Sequence, residues 1–360
     1  MVKARSLVGI GLTVGLISLA ACSGSSGSQN KTGAASLPPT NQSSATAPTT
    51  GPTPLAAWPN PGKNGQIAFG RWLDAAQTTR AIFVINPDGT DEQQLTHPAQ
   101  GVVDNNPDWS PDRSKIAFER CSDHCEAWVM NADGSGARSL GVDCPGVNCD
   151  SGAPAWSPDG ETLASNRAYG PIENDTIKFS ELVLIDARTG RMIRRIDATA
   201  PYSGDTGEAG WSPDGRQLVF TRVNSSTGEP PNARAVFVAN SDGTGRRRLT
   251  PWDLNGGDHP VWSPDGKLIL FRTVSGPDDN YGNLYTVHPD GTGLHQLTHY
   301  DATTIVLSYS FSPDGRWITF AKGGVGGEPD IFLMRLGGTD LAPVTQTALA
   351  DSAPDWGPAE

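Results

Sequence analysis

A short phrase recurs along the chain, and its regular return limits the possible folds more than any other feature. The best-preserved copy is PVWSPDGKLILF at 260–271, and related copies begin at residues 107, 154, 209 and 309. A truncated copy, PDWGPAE, occupies 354–360. Aligning the copies superimposes Trp109, Trp156, Trp211, Trp262, Phe311 and Trp356, which are 47, 55, 51, 49 and 45 residues apart. The sequence is therefore an internal repeat, in which each unit is one supersecondary structure.

Each unit also contains a second phrase, such as LYTVHPDGTGLHQLT at 284–298. Together the phrases predict four short strands per unit: A (the segment ending at the aromatic), B (KLILF), C (LYTVH) and D (HQLT). In the Ser-Pro-Asp-Gly turn between A and B, proline presets φ, aspartate accepts nearby amide hydrogens, and glycine accepts positive φ. Arg113 replaces that glycine in one unit, so this turn must relax or bear a cost of about 1 kcal/mol.

Several strands, such as AIFVI and LVLI, are apolar on both faces, so each sheet must be covered twice. Radial stacking of sheets covers both faces and leaves short edges, which is the β-propeller solution. The first strand-like segment, GQIAF (65–69), matches strand B, and the last, SAPDW (352–356), matches strand A. We therefore expect an all-β fold over 62–358: a six-bladed β-propeller with four-stranded antiparallel blades. The sixth blade is composite, combining the C-terminal strand A with the N-terminal strands B, C and D.

The two phrases, PxWSPDGxxIxF and NxDGTxxxxLT, resemble those of TolB-type (WD40-like) β-propellers over about residues 64–357. Similar repeats occur in the propellers of prolyl-oligopeptidase-like enzymes. The resemblance implies a β-propeller fold. The sequence departs from TolB because it lacks the folded α/β domain that precedes the TolB propeller. It also lacks the Gly-x-Ser-x-Gly elbow of the propeller-containing hydrolases.

The N-terminal segment is expected to direct export and anchoring. Lys3 and Arg5 precede an apolar stretch at 7–20, which is followed by Leu19-Ala20-Ala21-Cys22. This arrangement predicts a signal peptide at 1–21, and LAAC is similar to the lipobox of bacterial lipoproteins, in which the cysteine is acylated. Residues 22–61 are rich in Ser, Thr, Pro and Gly and predict a disordered tether with a reach of roughly 30–40 Å. These features predict an extracytoplasmic, membrane-anchored lipoprotein of the cell envelope. The alternative is an ordinary secretory signal with an incidental cysteine.

Four further cysteines lie in two close pairs, Cys121 with Cys125 and Cys144 with Cys149. An even number of cysteines in an exported protein favours disulfides, and both local and crossed pairings are feasible. A zinc site is the alternative, although neither pair has the usual CxxC spacing.

The long, irregular B–C and D–A loops are predicted to lie on one face of the propeller, which we call the loop-bearing face. Loops on a rigid scaffold are the usual place for binding. Strand A starts at this face and lines the central channel, so polar residues three or four positions before each aromatic should surround the channel mouth. We expect these residues to be Asn105, Asn106, Glu208, Asp258, His259 and Ser352. They could hold a cation, a peptide terminus or a sugar, or could instead cap strand ends and bind water.

Charge and composition restrict the function. The net charge is −12, and nucleic-acid binders need concentrated positive charge, so nucleic acid is not expected as a partner. Among the histidines, only His259 is placed near the channel axis, so no histidine cluster for a metal is predicted. The segment NPDGTDE at 86–92 lacks the spaced ligands of a calcium loop. We therefore expect no metal and no cofactor. The predicted function is noncatalytic binding of a protein, peptide or envelope polymer by a monomer. The alternative is a hydrolase or lyase that cleaves polysaccharide or peptide at the channel mouth.

Overall fold

The structure, a computed structural model, describes residues 64–143, 149–173, 176–198, 206–223, 233–257, 259–275, 280–324 and 327–359. Within these residues the fold is all-β, as predicted, with a single 3₁₀ turn at Trp252–Leu254. No helix in the described ranges is long and apolar enough to cross a membrane. The strands are β1 (Ile67–Trp72), β2 (Arg80–Ile85), β3 (Gln93–Gln94), β4 (Val103–Trp109), β5 (Lys115–Cys121), β6 (Cys125–Asn131), β7 (Arg138–Ser139), β8 (Asp150–Trp156), β9 (Thr162–Glu173), β10 (Thr176–Asp186), β11 (Met192–Ala198), β12 (Thr206–Trp211), β13 (Gln217–Val223), β14 (Arg234–Asn240), β15 (Arg247–Arg248), β16 (Val261–Trp262), β17 (Ile269–Arg272), β18 (Leu284–Val287), β19 (His295–Gln296), β20 (Ile305–Phe311), β21 (Trp317–Gly323), β22 (Asp330–Arg335), β23 (Ala342–Pro343) and β24 (Asp351–Trp356).

The strands form antiparallel sheets of the kind found in β-propellers. Strands β8–β11, β12–β15, β16–β19 and β20–β23 each make a four-stranded sheet. The other eight strands comprise two further groups, β24-β1-β2-β3 and β4-β5-β6-β7. These two groups are joined by one parallel pairing, between Arg80 and Val103.

The first and last strands lie side by side. β24 runs antiparallel to β1, with Trp356 opposite Ile67 and Asp355 opposite Ala68. The indole N–H of Trp356 donates to the carbonyl of Gly65 at 2.9 Å. A strand near the end of the sequence therefore shares a sheet with β1, β2 and β3.

The A–B turns have the conformation that their residues favour. In Ser-Pro-Asp-Gly at 157–160, Gly160 has φ 73° and donates its N–H to the Ser157 carbonyl at 2.9 Å. The Asp159 carboxylate accepts the Ser157 hydroxyl at 2.5 Å. Arg113 adopts φ 63° in the equivalent turn, and its N–H still donates to the Ser110 carbonyl at 2.9 Å. The turn thus keeps its shape, and the arginine bears the conformational cost.

Hydrophobic clusters fill the spaces between successive sheets. The phenylalanine of strand B is fully buried in five repeat units, as Phe69, Phe118, Phe220, Phe271 and Phe320. Burying each of these rings contributes roughly 1.5–3 kcal/mol. One cluster includes residues of both β1 and β21, so the first and last sheets also pack against each other.

Candidate functional site

Four of the repeat units share an unusual backbone conformation three residues before the aligned aromatic. Asn106, Ala153, His259 and Ala353 have φ between 43° and 54°. In β4, β8, β12 and β20 the strand pairing shifts by a β-bulge around this position. A non-glycine residue with positive φ costs on the order of 1–3 kcal/mol, and a bulge redirects the side chain beside it. This conformation sets the direction of the side chains at one end of the inner strands.

A cavity of about 450 Å³ runs along these inner strands. Asn106, Glu208 and His259 line one part of it, and Asp108 and Asp355 line another. The prolines of several A–B turns also contribute: Pro158, Pro264 and Pro313. Residues from both ends of strand A line this cavity, and we call it the channel.

Three of the residues predicted for the channel mouth are in contact. Asn106 Nδ2 donates to Glu208 Oε1 at 3.0 Å, and His259 Nε2 pairs with Glu208 Oε2. Glu208 is buried and His259 is partly buried. The contacts join β4, β12 and the segment before β16, so they connect three different sheets. We call Asn106, Glu208 and His259 the mouth cluster.

Two carboxyl groups lie further along the channel. Asp108 Oδ2 accepts the backbone N–H of Trp156 at 2.6 Å, and Asp355 Oδ2 accepts that of Trp109 at 2.8 Å. Burial raises the pKa of Asp108 well above its usual range, and the charge of Asp355 raises it further. Burial also raises the pKa of Asp355, against the opposing effect of its hydrogen bonds. The channel therefore disfavours two full negative charges in the absence of a cationic group.

Glu119 extends the polar contacts behind the mouth cluster. Asn106 Nδ2 lies 3.3 Å from Glu119 Oε2, and a Cβ on Gly152 would overlap Glu119 Oε1. Burial, followed by the charge of Asp150, raises the pKa of Glu119 to about 8, although the nearby Arg80 opposes the shift. Glycine at 152 therefore makes the space that this buried carboxyl group occupies.

The other predicted mouth residues occupy different positions. Asn105 is 6% exposed, and its Oδ1 lacks a hydrogen-bond partner among the described residues. Ser352 Oγ accepts a hydrogen bond from Arg80 at 2.6 Å. Neither residue lines the cavity, and Asp258 lies outside the described residues. Of the predicted mouth residues that the structure describes, Asn106, Glu208 and His259 are therefore brought together at the cavity, while Asn105 and Ser352 are not.

Sequence reasoning did not single out Asp108, Asp355, Glu119 or Arg80. For the two aspartates a signal was present, because Pro-Asp-Trp occurs at both 107–109 and 354–356. Arg80 is 2% exposed, and burial lowers its pKa to about 10 despite the nearby Asp351 and Glu119. The charge interaction between Arg80 and Glu119 depends on how β2 and β5 pack, and the sequence offered no signal for that packing.

The cysteines with described side chains form disulfides. Cys121 and Cys125 are bonded to each other across the hairpin between β5 and β6. Cys149 is also disulfide-bonded, and Cys144 and Cys22 lie outside the described residues. Glu119, Cys121 and Cys125 bring potential metal-ligand atoms within 4.8 Å of one another, but two sulfurs joined in a disulfide are not thiolate ligands. This group therefore does not fit the zinc alternative.

A comparison with known protein families agrees with the repeats and the sheets. The TolB beta propeller domain matches residues 65–281, more than half of the chain. The chain belongs to the TolB β-propeller family.

Individual relatives match smaller parts of this TolB-family chain. YuxL of Bacillus subtilis, described as an uncharacterized peptidase, is 27% identical over 164 residues, which are 37% of this chain and 24% of YuxL. The TolB homolog of Chlorobium luteolum is 32% identical over 127 residues, or 35% of this chain and 26% of that protein. The chain thus matches about a quarter of the length of these two relatives.

A solved structure supports the fold. TolB from Acinetobacter baumannii has a TM-score of 0.63 and is 22% identical, and the likeness covers 82% of this chain and 67% of that one. At this identity the likeness shows the fold alone.

Proposed function

We propose that this chain is a lipid-anchored, six-bladed β-propeller that binds an envelope protein or peptide without chemically changing it. Four of the proposed blades are the four-stranded sheets, and two are the groups β24-β1-β2-β3 and β4-β5-β6-β7. The pairing of β24 with β1 supports closure of the ring by a composite blade. Cys22 is the proposed lipidation site, and the extracytoplasmic face of a membrane is the proposed location.

The mouth cluster is the observation that carries the proposed binding function. Its side chains come from three sheets: Asn106 donates to Glu208 at 3.0 Å, and His259 pairs with Glu208. Two of its three residues, Asn106 and His259, have positive φ. Backbone strain of this kind is retained where the surrounding structure holds it, and it is common at binding sites. A rigid cluster of polar groups on inner strands favours recognition of a partner over simple capping of strand ends.

The charge of the channel supports a particular kind of ligand group. Glu208, Asp108 and Asp355 supply three carboxyl groups, while His259 is the one histidine among the lining residues described. A lysine side chain or a peptide N-terminus would donate hydrogen bonds to these oxygens and reduce the repulsion between Asp108 and Asp355. We therefore propose that the bound segment presents a cationic group to the channel.

Peptide or polysaccharide cleavage by a hydrolase or lyase is the second candidate. It is favoured by the match to YuxL, which is described as a peptidase, but that match covers 24% of YuxL. Incubation with peptide and oligosaccharide substrates distinguishes the two functions. If the chain cleaves a peptide or oligosaccharide and Glu208→Gln abolishes that cleavage, the protein is an enzyme and the binding proposal is wrong.

A comparison of captured proteins tests the binding function. The chain from residue 22 onward, with Cys22→Ser, is used to capture proteins from solubilised membranes, alongside Glu208→Lys and Glu208→Gln. Glu161→Lys is the matched control, because Glu161 is exposed at the far end of an A–B turn. We expect at least a tenfold loss of the captured partner with Glu208→Lys, a smaller loss with Glu208→Gln, and none with the control. Equal capture by folded Glu208→Lys would contradict the proposed site.

A further inference from the structure

The outer strands of three consecutive sheets carry a dense set of exposed arginines. We call this set the arginine band, and it comprises Arg138, Arg188, Arg191, Arg194, Arg195, Arg246, Arg247 and Arg248. These eight residues are drawn from the 27 lysines and arginines of a chain whose net charge is −12. The band is therefore a concentrated positive region on an acidic protein.

Hydrogen bonds between neighbouring sheets show that the band is continuous. Arg138 of β7 donates to the carbonyl of Arg188 at 2.9 Å, in the turn that precedes β11. Arg194 of β11 donates to the carbonyl of Asp242 at 3.1 Å, in the turn that precedes β15. Because a backbone carbonyl is uncharged, these contacts order the arginines and leave their positive charge in place.

Acidic side chains compensate only part of the band. Arg195 pairs with Glu181 at 2.8 Å, and Arg246 pairs with the buried Asp197. The turn carboxylates of Asp186, Asp242 and Asp290 accept hydrogen bonds within their own turns. They also attract Arg188, Arg194 and Arg247, respectively, without a close ion pair. Among the described residues, the side chains of Arg191 and Arg248 have no acidic partner within ion-pair distance, and Arg248 lies over the ring of Trp252 at 5.2 Å.

Exposed apolar side chains lie among these arginines. Met192 and Ile193 are 36% and 56% exposed, and Ile193 is the most exposed large apolar residue in the described part of the chain. They follow Arg191 directly and precede Arg194. Charged residues on an edge strand can serve to block unwanted strand pairing. That role accounts for arginines on the seven-residue β11. It does not account for the exposed isoleucine, or for three successive arginines, Arg246–Arg248, where the edge strand β15 is only two residues long.

We propose that the arginine band is a docking surface for anionic lipid headgroups. Guanidinium groups bind phosphate with two parallel hydrogen bonds, and an exposed isoleucine and methionine can enter the boundary between headgroups and acyl chains. A soluble polyanion would use the arginines and leave Ile193 without a role. With the outer edge of the sheets on a membrane, the channel mouth stays open to solvent.

Vesicle flotation tests this surface with the chain from residue 22 onward carrying Cys22→Ser, which retains every described residue and cannot be acylated. The vesicles contain either phosphatidylcholine alone or phosphatidylcholine mixed with phosphatidylglycerol. The charge variant is Arg191→Glu/Arg248→Glu, and its matched control is Arg216→Glu/Lys267→Glu, at two highly exposed positions of A–B turns. Ile193→Ser tests the apolar contribution at a position that is 56% exposed.

We expect binding that requires phosphatidylglycerol and weakens with added salt. Each arginine near an anionic surface is worth about a fivefold change in partitioning, so the charge variant should bind at least about 25-fold more weakly. The control pair should bind like the unmodified chain, and Ile193→Ser should weaken binding several-fold. The proposal is overturned by binding that does not depend on phosphatidylglycerol, by an equal loss in the control pair, or by unchanged binding of Ile193→Ser, which would indicate a site for a soluble polyanion.

Discussion

Arg71 and Asp351 are 280 positions apart in the sequence and form a two-point ion pair. Arg71 Nε lies 2.6 Å from Asp351 Oδ1, and Nη2 lies 2.8 Å from Oδ2. The Asp351 side chain is fully buried, whereas Glu92, which also binds Arg71, is 36% exposed. Because Arg71 is on β1 and Asp351 is on β24, the ion pair joins the two ends of the described region.

Replacing Asp351 with asparagine should destabilise the whole fold. The change leaves a buried guanidinium with a weaker partner, which typically costs about 3 kcal/mol. Urea unfolding followed by circular dichroism measures the loss. Lys267→Ala, which breaks an exposed pair with Asp265, is the control and should change the unfolding free energy by less than about 1 kcal/mol. Similar values for both variants would show that the link between β1 and β24 contributes little.

Glu119 should make stability fall as pH rises. Its pKa in the folded protein is about 8, compared with an ordinary value of 4.5. Between these two pH values the folded protein holds a proton that the unfolded chain releases, so unfolding becomes easier as pH increases. The slope can reach about 1.4 kcal/mol per pH unit. Glu119→Gln should remove this contribution when urea unfolding is measured across the range, whereas Glu161→Gln should keep it. An unchanged slope in Glu119→Gln would mean that this carboxyl group ionises normally.

Arg113→Gly should stabilise the protein slightly. Arg113 has φ 63° at a turn position where the other repeats have glycine. Relief of this conformation outweighs the greater freedom of glycine in the unfolded chain, and we expect a gain of about 0.5–1 kcal/mol. Thermal unfolding tests the direction. A lower melting temperature would show that the arginine side chain makes a compensating contact.

The sequence predicted the repeats and strands because both depend on local patterns. Turn residues and alternating apolar runs identified strands A to D, and the spacing of the aromatics placed Asp355 and its neighbours near the first strand B. At the mouth, a β-bulge interrupts the alternation of side chains along the strand, so the pattern alone does not tell that Asn106 and Glu208 line the cavity while Asn105 does not. The fit of Glu119 against Gly152 arises from a contact between sheets. Such contacts leave no periodic signal in a single sequence.

Cys22→Ser should release the protein from the membrane fraction of its host. The sequence before this cysteine resembles a lipobox, and without acylation the remaining membrane attraction is weak and salt-sensitive. Fractionation in high salt, followed by labelling with a radioactive fatty acid, measures both location and acylation. Retention of label by Cys22→Ser would show that another residue carries the lipid.

Photo-crosslinking from the channel mouth tests whether the partner binds there. A photoreactive amino acid is introduced in the host at Ser308, which lines the cavity at the repeat position equivalent to Asn106, Glu208 and His259. It is introduced separately at Lys267, an exposed residue of an A–B turn. We expect a crosslinked partner from position 308 that disappears when Glu208→Lys is added, and no such product from position 267. A partner crosslinked from position 267, or a product at position 308 that persists with Glu208→Lys, would place the binding surface elsewhere.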